Sequence, residues 1–251
     1  MGDSVPAPAP AAATPSRAPR NPALTFDDRY VEERLLGRGA MGAVYLVRDR
    51  ETAEQLAVKK LFHMDARSVL RLKREFRAIA DMSHPNLVKV YELGHAGEGY
   101  FLAMEYVPGR DLQAHLEVER EVRAPAGLEA AFSQFALRRA WLQDSALPAF
   151  HQLAVGVHAL HRAGMLHRDL KPSNVIVAQD RVVVLDFGLV RELDANAPKL
   201  TEDGAIAGTP AYMAPEQALG KPLSEASDWY AFGAMLYEAM TGVLPFEGAP
   251  L

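Results

Sequence analysis

Alternating apolar and polar side chains, the pattern typical of strands, begin at about residue 26. The segments that show it are rich in Val, Leu and Tyr and cover residues 30–36, 43–48 and 55–60. Residues 68–81 then place apolar side chains at helical spacing, and two more strands are predicted over residues 87–93 and 100–106. The N-terminal part of the chain is therefore predicted to be β-rich, with one helix.

The pattern becomes mainly helical beyond Asp111. One helix face is predicted from Phe150, Leu153, Ala154, Val157, Leu160 and His161, with Gly164 as the C-terminal stop. Short apolar runs predict small strands over residues 175–177 and 182–185, and another helix is predicted over residues 227–240. A β-rich part followed by a helical part predicts two lobes.

Residues 1–24 show neither pattern. They are dominated by Ala and Pro, with six prolines by Pro22, and they lack the apolar core that a signal peptide needs. Such a segment buries too little apolar surface to offset its loss of conformational entropy on folding. We predict a disordered tail.

Composition narrows the class of protein. The 251 residues carry 27 basic and 32 acidic side chains, a net charge of −5, which gives no support to nucleic-acid binding. The chain has no cysteine, so disulfides, thiol catalysis and zinc–thiolate sites are excluded, and a cytoplasmic location is expected. Residues 229–246 are apolar enough to resemble a membrane helix, but two glycines and a proline favour a buried core helix. No membrane segment is predicted.

A glycine-rich motif lies between the first two predicted strands, with Gly37, Gly39 and Gly42 in the spacing G-x-G-x-x-G. Alone this spacing is a weak signal, since it is equally typical of a turn that needs positive φ. A dinucleotide-binding loop would lead into a helix, whereas the residues after Gly42 are strand-like. The motif therefore predicts a hairpin tip whose backbone N–H groups approach phosphate oxygens.

Lys59 on the third predicted strand and Glu75 on the predicted helix form a second candidate pair. A lone lysine on a strand is usually an exposed edge residue. Glu75, however, shares the apolar stripe of its helix, and a buried carboxylate needs a cationic partner. We expect Lys59 to be that partner and to contact nucleotide phosphates.

The strongest signal is a set of three motifs in a fixed order. They are His167-Arg168-Asp169-Leu170-Lys171-Pro172-Ser173-Asn174, Asp186-Phe187-Gly188 and Ala214-Pro215-Glu216. With the glycine-rich motif and Lys59, they resemble the protein kinase family from about residue 28 to the end of the chain. The resemblance implies an α+β fold with two lobes, a β-rich N-lobe over residues 25–107 and a mainly helical C-lobe over residues 108–251.

The resemblance also implies a role for each catalytic residue. Asp169 is expected to accept the proton of the substrate hydroxyl, and Lys171 to stabilise the γ-phosphate. Lys59, held by Glu75, is expected to contact the α- and β-phosphates. A stack expected to join the two lobes consists of Ile79, Val90, His167 and Phe187, anchored by Asp228.

Nucleotide and metal binding are implied in the same way. ATP and Mg²⁺ are expected, with Asn174 and Asp186 as the oxygen ligands of the metal. The residues expected around the nucleotide are Gly37, Gly39, Gly42, Val44, Ala57, Lys59, Met104, Glu105, Val107, Asp111 and Ile176. Within this set, Met104 to Val107 resemble the segment that binds adenine, and Asp111 resembles the acidic residue that meets ribose.

The predicted acceptor is a Ser or Thr hydroxyl of a protein substrate. Lys171, two residues after Asp169, is typical of Ser/Thr kinases, and the general style is similar to that of bacterial kinases of this class. Thr209 lies where these kinases keep a threonine near the catalytic Asp and Lys. Apart from Tyr212, Thr201 is the other hydroxyl between residues 188 and 214, so we expect it to be a regulatory phosphosite.

Two features depart from the family pattern. Residues 117–147 lengthen the link between the first two helices of the C-lobe, and an extra amphipathic helix is predicted there from Leu128, Phe132, Phe135 and Leu142. This insertion is either a family-specific elaboration or a surface for a partner. The chain also ends before the helices that would cover residues 229–240, so the final helices are expected to be missing and Glu216 to lack its arginine partner.

Two other functions stay open at this point. A pseudokinase, or ATP-binding regulatory scaffold, usually lacks one of the positions that Lys59, Asp169 and Asp186 occupy here. A small-molecule kinase of related fold typically lacks the Ala-Pro-Glu and Gly-Thr-Pro segments. A Ser/Thr protein kinase of signal transduction is therefore the leading interpretation.

Overall fold

The N-terminal lobe is built on a five-stranded antiparallel sheet. In this computed structural model the described residues are 28–39, 42–61, 66–97, 99–122, 140–187 and 210–246. The strands are β1 (Tyr30–Gly39), β2 (Gly42–Asp49), β3 (Gln55–Leu61), β4 (Val90–Ala96) and β5 (Gly99–Glu105), in the spatial order β1-β2-β3-β5-β4. Helix α1 (Ala66–Ala80) packs on β4.

Alternation along these strands divides the lobe into two apolar clusters. On one side of the sheet, Val47, Val58 and Phe101 are buried, and the rings of Tyr30 and Phe101 meet edge to face with centroids 5.7 Å apart. On the other side, Ala57 and Met104 join the main core, which continues through α1 into the second lobe. The two lobes therefore share one core.

The second lobe carries a small sheet and most of the helices. Its strands are β6 (Arg110–Asp111), β7 (Val175–Ala178) and β8 (Arg181–Val184), paired in that order. Its helices are α2 (Leu112–Val122), α3 (Leu147–Arg162), α4 (Pro215–Ala218) and α5 (Glu225–Thr241). A π-helical turn, Leu142–Ala146, leads directly into α3, and α3 packs on both β8 and α5. The predicted α+β fold with two lobes is confirmed.

Helix α5 has strong signals at both ends. Ser224 and Ser227 form a capping box at its start, and Gly242 ends it in the left-handed conformation, with a φ of 82°. Its buried residues include Asp228, Ala231 and Met235. The segment that resembles a membrane helix in sequence is thus a helix of the lobe core. Within the described part of the chain, no helix combines the length and the apolar character that crossing a bilayer requires.

The structure differs from the sequence prediction in two places. The strand predicted over residues 87–93 begins only at Val90, because Leu87 and Val88 pair instead with Val184 of the small sheet. Leu142, predicted to lie in an extra helix, lies in the π-helical turn before α3. The other residues of that prediction, Leu128, Phe132 and Phe135, fall outside the described residues, as does the predicted tail over residues 1–24.

Candidate active site

Asp228, in the first turn of α5, holds the backbone of the segment from His167 to Asn174. The Asp228 carboxylate accepts the backbone N–H groups of His167 at 2.7 Å and Arg168 at 2.8 Å, and His161 Nε2 lies 2.8 Å from it. Asp228 is 2% exposed. Because three donors converge on one buried carboxylate, the backbone of this segment has little freedom to shift.

His167 connects this segment to the end of β8. Its Nε2 lies 2.9 Å from the Leu185 carbonyl, and its Nδ1 accepts the backbone N–H of Asp169 at 3.3 Å. Burial lowers the pKa of His167, so the ring is neutral and donates only from Nε2. A second link runs from the backbone N–H of Leu185 to the Asn174 carbonyl at 2.8 Å. Asp186 is therefore held beside the 167–174 segment.

Three of the predicted site residues meet directly. Lys171 Nζ lies 2.9 Å from Asp169 Oδ2. The Asn174 side-chain amide donates to the Asp169 carbonyl at 2.8 Å and to its Oδ2 at 3.3 Å. The Asp169 side chain is 32% exposed, so its carboxylate is fixed by neighbours and still open to a substrate.

Lys59 crosses from the first lobe to Asp186. Lys59 Nζ lies 2.7 Å from Asp186 Oδ2, so the predicted pairing with Glu75 is not the ion pair that Lys59 makes in this structure. The physical reason is position: α1 packs on β4, whereas Lys59 extends from β3 towards the end of β8, where Asp186 offers its carboxylate. Glu75 lies half-buried on α1.

Two residues of the site have strained backbones. Arg168 has a φ of 66° and Asp186 a φ of 53°, a left-handed region that costs free energy for side chains other than glycine. Each lies inside the hydrogen-bond network of Asp228, His167 and Leu185, which holds the backbone in place. Strain of this kind is concentrated where side-chain direction matters for function.

The residues expected to surround the nucleotide are divided between the two sheets. Ala57 pairs with Met104 across β3 and β5, and Ile176 pairs with Asp111 across β7 and β6. Ala57 and Met104 are buried, while Val44, Val107 and Ile176 are half-buried. The Asp111 carboxylate already has a structural task, because its Oδ1 accepts the Ala114 backbone N–H at 2.8 Å and caps α2.

The glycine-rich motif is a hairpin tip, as predicted. Gly39 pairs with Gly42 and Gly37 with Val44 at the ends of β1 and β2. A Cβ on Gly42 would lie 2.1 Å from the Lys60 carbonyl oxygen, whereas a Cβ on Gly37 or Gly39 would have no atom within 4 Å. Gly42 is therefore required for packing, while Gly37 and Gly39 border open space.

The predicted stack between the lobes is buried throughout. Its members are Ile79, Val90, His167 and Phe187, each 4% exposed or less. Thr201, Thr209 and Gly188 lie outside the described residues. Glu216 accepts a hydrogen bond from the Ser227 hydroxyl, which lowers the pKa of Glu216.

Sequence reasoning missed two contacts. The Gln217 amide donates to the Arg168 carbonyl at 2.6 Å, which links α4 to the 167–174 segment. The Arg181 guanidinium binds the carboxylate of Glu105, although 76 residues separate them. Neither Gln217 nor Arg181 belongs to a motif. Gln217 directly follows the Ala214-Pro215-Glu216 motif, and Arg181 directly precedes the strand predicted over residues 182–185.

The comparisons with known proteins agree with this geometry. The model of the protein kinase domain matches residues 30–250. The chain is 38% identical to the serine/threonine-protein kinase pkn3 of Myxococcus xanthus, over 89% of this chain and 39% of that protein. It is 35% identical to PknA of Mycobacterium tuberculosis, over 90% of this chain and 49% of that protein. It thus spans less than half the length of both relatives.

A solved structure supports the same assignment. The crystal structure of the Mycobacterium tuberculosis PknI kinase domain matches with a TM-score of 0.62 and 27% identity. The match covers 89% of this chain and 78% of that one. Fold and sequence therefore point to one family.

Proposed function

The chain belongs to the protein kinase family, and we propose that it is a Ser/Thr protein kinase that transfers the γ-phosphoryl group of ATP to proteins. The observation that carries the proposal is the cluster of Asp169, Lys171 and Asn174, with Asp186 held beside it through Leu185. Phosphoryl transfer depends mainly on positioning and on neutralising charge. This cluster offers a proton acceptor, a cation and oxygen ligands in one place.

Asp169 acts on the acceptor side of the proposed reaction. Its carboxylate accepts the proton of the substrate hydroxyl as that oxygen bonds to the γ-phosphorus and the bond to the bridging oxygen of ADP breaks. Lys171 keeps the carboxylate oriented and balances charge on the transferred group. A small cleft on this side is lined by Asp169, Tyr212, Met213 and Gln217.

ATP and Mg²⁺ would lie on the other side of the cluster. Lys59 contacts the α- and β-phosphates, and the backbone of Glu105 and Val107 meets the adenine edge. Asp186 and Asn174 would hold Mg²⁺, which neutralises phosphate charge when bound. Mg²⁺ usually takes one or two carboxylates together with water and phosphate, and the Asp186 carboxylate fits that preference.

The acceptor class is supported by sequence. Lys171 stands two residues after Asp169, as in Ser/Thr kinases, and pkn3 and PknA are both named serine/threonine-protein kinases. We also propose that the chain acts in the cytoplasm, where ATP is abundant and the lack of cysteine carries no disadvantage.

Phosphate incorporation tests this proposal. The 251-residue chain is incubated with Mg²⁺ and γ-labelled ATP and with casein as a general substrate, and the labelled amino acids are identified after acid hydrolysis. We expect phosphoserine and phosphothreonine, and none with Lys171→Met. Label on tyrosine would contradict the acceptor class. ADP binding without any transfer would instead identify a pseudokinase.

A further inference from the structure

Arg181 joins three parts of the molecule through one guanidinium group. Arg181 lies at the start of β8 in the second lobe. Its two terminal nitrogens bind both carboxylate oxygens of Glu105, the last residue of β5, with Nη2 3.1 Å from Oε2. Its Nε donates to the Pro85 carbonyl, in the loop between α1 and β4. One side chain of the second lobe therefore binds both the end of β5 and the loop between α1 and β4.

The loop that contains Pro85 is itself bound to the second lobe. The Val88 N–H donates to the Val184 carbonyl at 3.0 Å, and the Asn86 amide donates to the Val182 carbonyl at 2.8 Å. Asn86 approaches α3 so closely that a Cβ on Gly156 would lie 2.8 Å from its carbonyl oxygen. This loop therefore moves with the second lobe, and Arg181 extends the same attachment to Glu105.

Glu105 is also held by Lys89, the residue before β4. Its backbone N–H donates to the Lys89 carbonyl at 2.8 Å, and its Oε2 lies 3.4 Å from the Lys89 backbone nitrogen. The side chain of Glu105 is 22% exposed and that of Arg181 39%. Exposed ion pairs usually contribute little, but bidentate arginine–carboxylate geometry is an exception. The pair therefore restrains the position of the end of β5 relative to the second lobe.

We propose that Arg181 is a positioning residue for nucleotide binding, acting through Glu105. This inference rests on the proposed function, in which the backbone of Glu105 and Val107 meets the adenine edge, and on the family resemblance, which places Ile176 of the second lobe beside the nucleotide. Both contacts form only at one angle between the lobes. Arg181 holds that angle, and losing it lowers the fraction of molecules ready to bind nucleotide.

The test compares Arg181→Gln with Arg48→Gln in the full chain. Arg48 is a matched control, because it binds Glu33 at 2.7 Å and the Ala53 carbonyl at 3.0 Å, within the first lobe alone. For each variant the Kd of ADP, the KM of ATP, kcat and the melting temperature are measured. We expect Arg181→Gln to raise the Kd and the KM about 3- to 10-fold, with kcat at saturating ATP within about twofold of the wild type. Arg48→Gln should leave the Kd and the KM unchanged.

Arg181→Lys sharpens the test. Lysine keeps the charge but cannot bind Glu105 with two nitrogens while also donating to Pro85, so it should behave like the glutamine variant. Equal rises in Kd for the Arg181 and Arg48 variants, or no rise for Arg181→Gln, would overturn the inference. Wild-type ADP binding without phosphoryl transfer would overturn the proposed function alone, whereas a wild-type chain that binds no ADP would overturn both.

Discussion

The glycine-rich hairpin and the 167–174 segment, which we propose serve the same site, are held in different ways. Most β1 side chains are exposed, and β1 is attached through its pairing with β2. The 167–174 segment is bonded to α5 through Asp228, to Leu185 through His167 and to α4 through Gln217. The hairpin is thus attached mainly along its edge, while Asp169, the proposed proton acceptor, is fixed to the core.

Asp228→Asn should weaken the attachment of the 167–174 segment to α5. An amide cannot accept from all three donors, so at least one buried N–H loses its partner, and we expect the free energy of unfolding to fall by about 3–5 kcal/mol. Urea unfolding measures this change. Asp180→Asn, in the exposed turn between β7 and β8, is the matched control and should change stability by less than about 0.5 kcal/mol. Equal effects would show that Asp228 is not an anchor.

Lys59→Met tests the ion pair that links the first lobe to Asp186 of the second. Lys59 is a buried cation beside Asp186, and its loss removes a charge from the proposed phosphate site. We expect kcat/KM for ATP to fall about 100-fold. Lys60→Met, on the same strand, should leave it within about twofold. A Lys59 variant with unchanged ATP kinetics would remove this residue from the site.

Gly42→Ala and Gly37→Ala separate packing from phosphate contact in the hairpin. The new methyl at residue 42 collides with the Lys60 carbonyl and should cost about 1–3 kcal/mol of stability. The methyl at residue 37 meets open space, so its stability should stay within about 0.5 kcal/mol. If Gly37→Ala weakens ATP binding at unchanged melting temperature, its role is contact with phosphate. Equal melting temperatures for the two variants would contradict the predicted packing.

Acid should slightly reduce the stabilisation that the Asp49 carboxylate provides at the end of β2. Hydrogen bonds from Arg29 hold the pKa of the Asp49 carboxyl near 2, below its unfolded value of about 3.9. The resulting stabilisation is complete above about pH 5 and is lost as the pH falls towards 2. Asp49→Asn should therefore lower the melting temperature by less than about 4 °C at pH 7, and the difference should shrink below pH 4. A difference that grows in acid would contradict this.

Most of the fold follows from patterns that the sequence carries locally. The predicted helix over residues 68–81 is α1, Ala66–Ala80, and the strands at 55–60 and 100–106 match β3 and β5 within two residues. The error at residues 87–93 has a physical cause, since apolar alternation shows that Leu87 and Val88 are buried but not which sheet they join. Their partner, Val184, lies almost one hundred residues away.

Some residues of the candidate site could likewise be predicted from local motifs, whereas others depend on how the chain folds. Asp169, Lys171 and Asn174 could be predicted together because they lie within six residues of one another in a motif. The partner of Lys59 could not be chosen from the sequence, because both Glu75 and Asp186 are candidates. Which of them lies within reach of Lys59 depends on how α1 packs. The bond between Arg181 and Glu105 has no local signal, since Arg181 belongs to no motif and the resemblance assigns Glu105 to the nucleotide alone.

The most direct test of the central claim measures ADP affinity and phosphoryl transfer together in Asp169→Asn. If Asp169 is the proton acceptor and does not hold nucleotide, the variant should bind ADP within about twofold of the wild type while its kcat falls about 10²- to 10⁴-fold. A variant that keeps the wild-type kcat would contradict the account, because Asp169 would then not take part in the transfer.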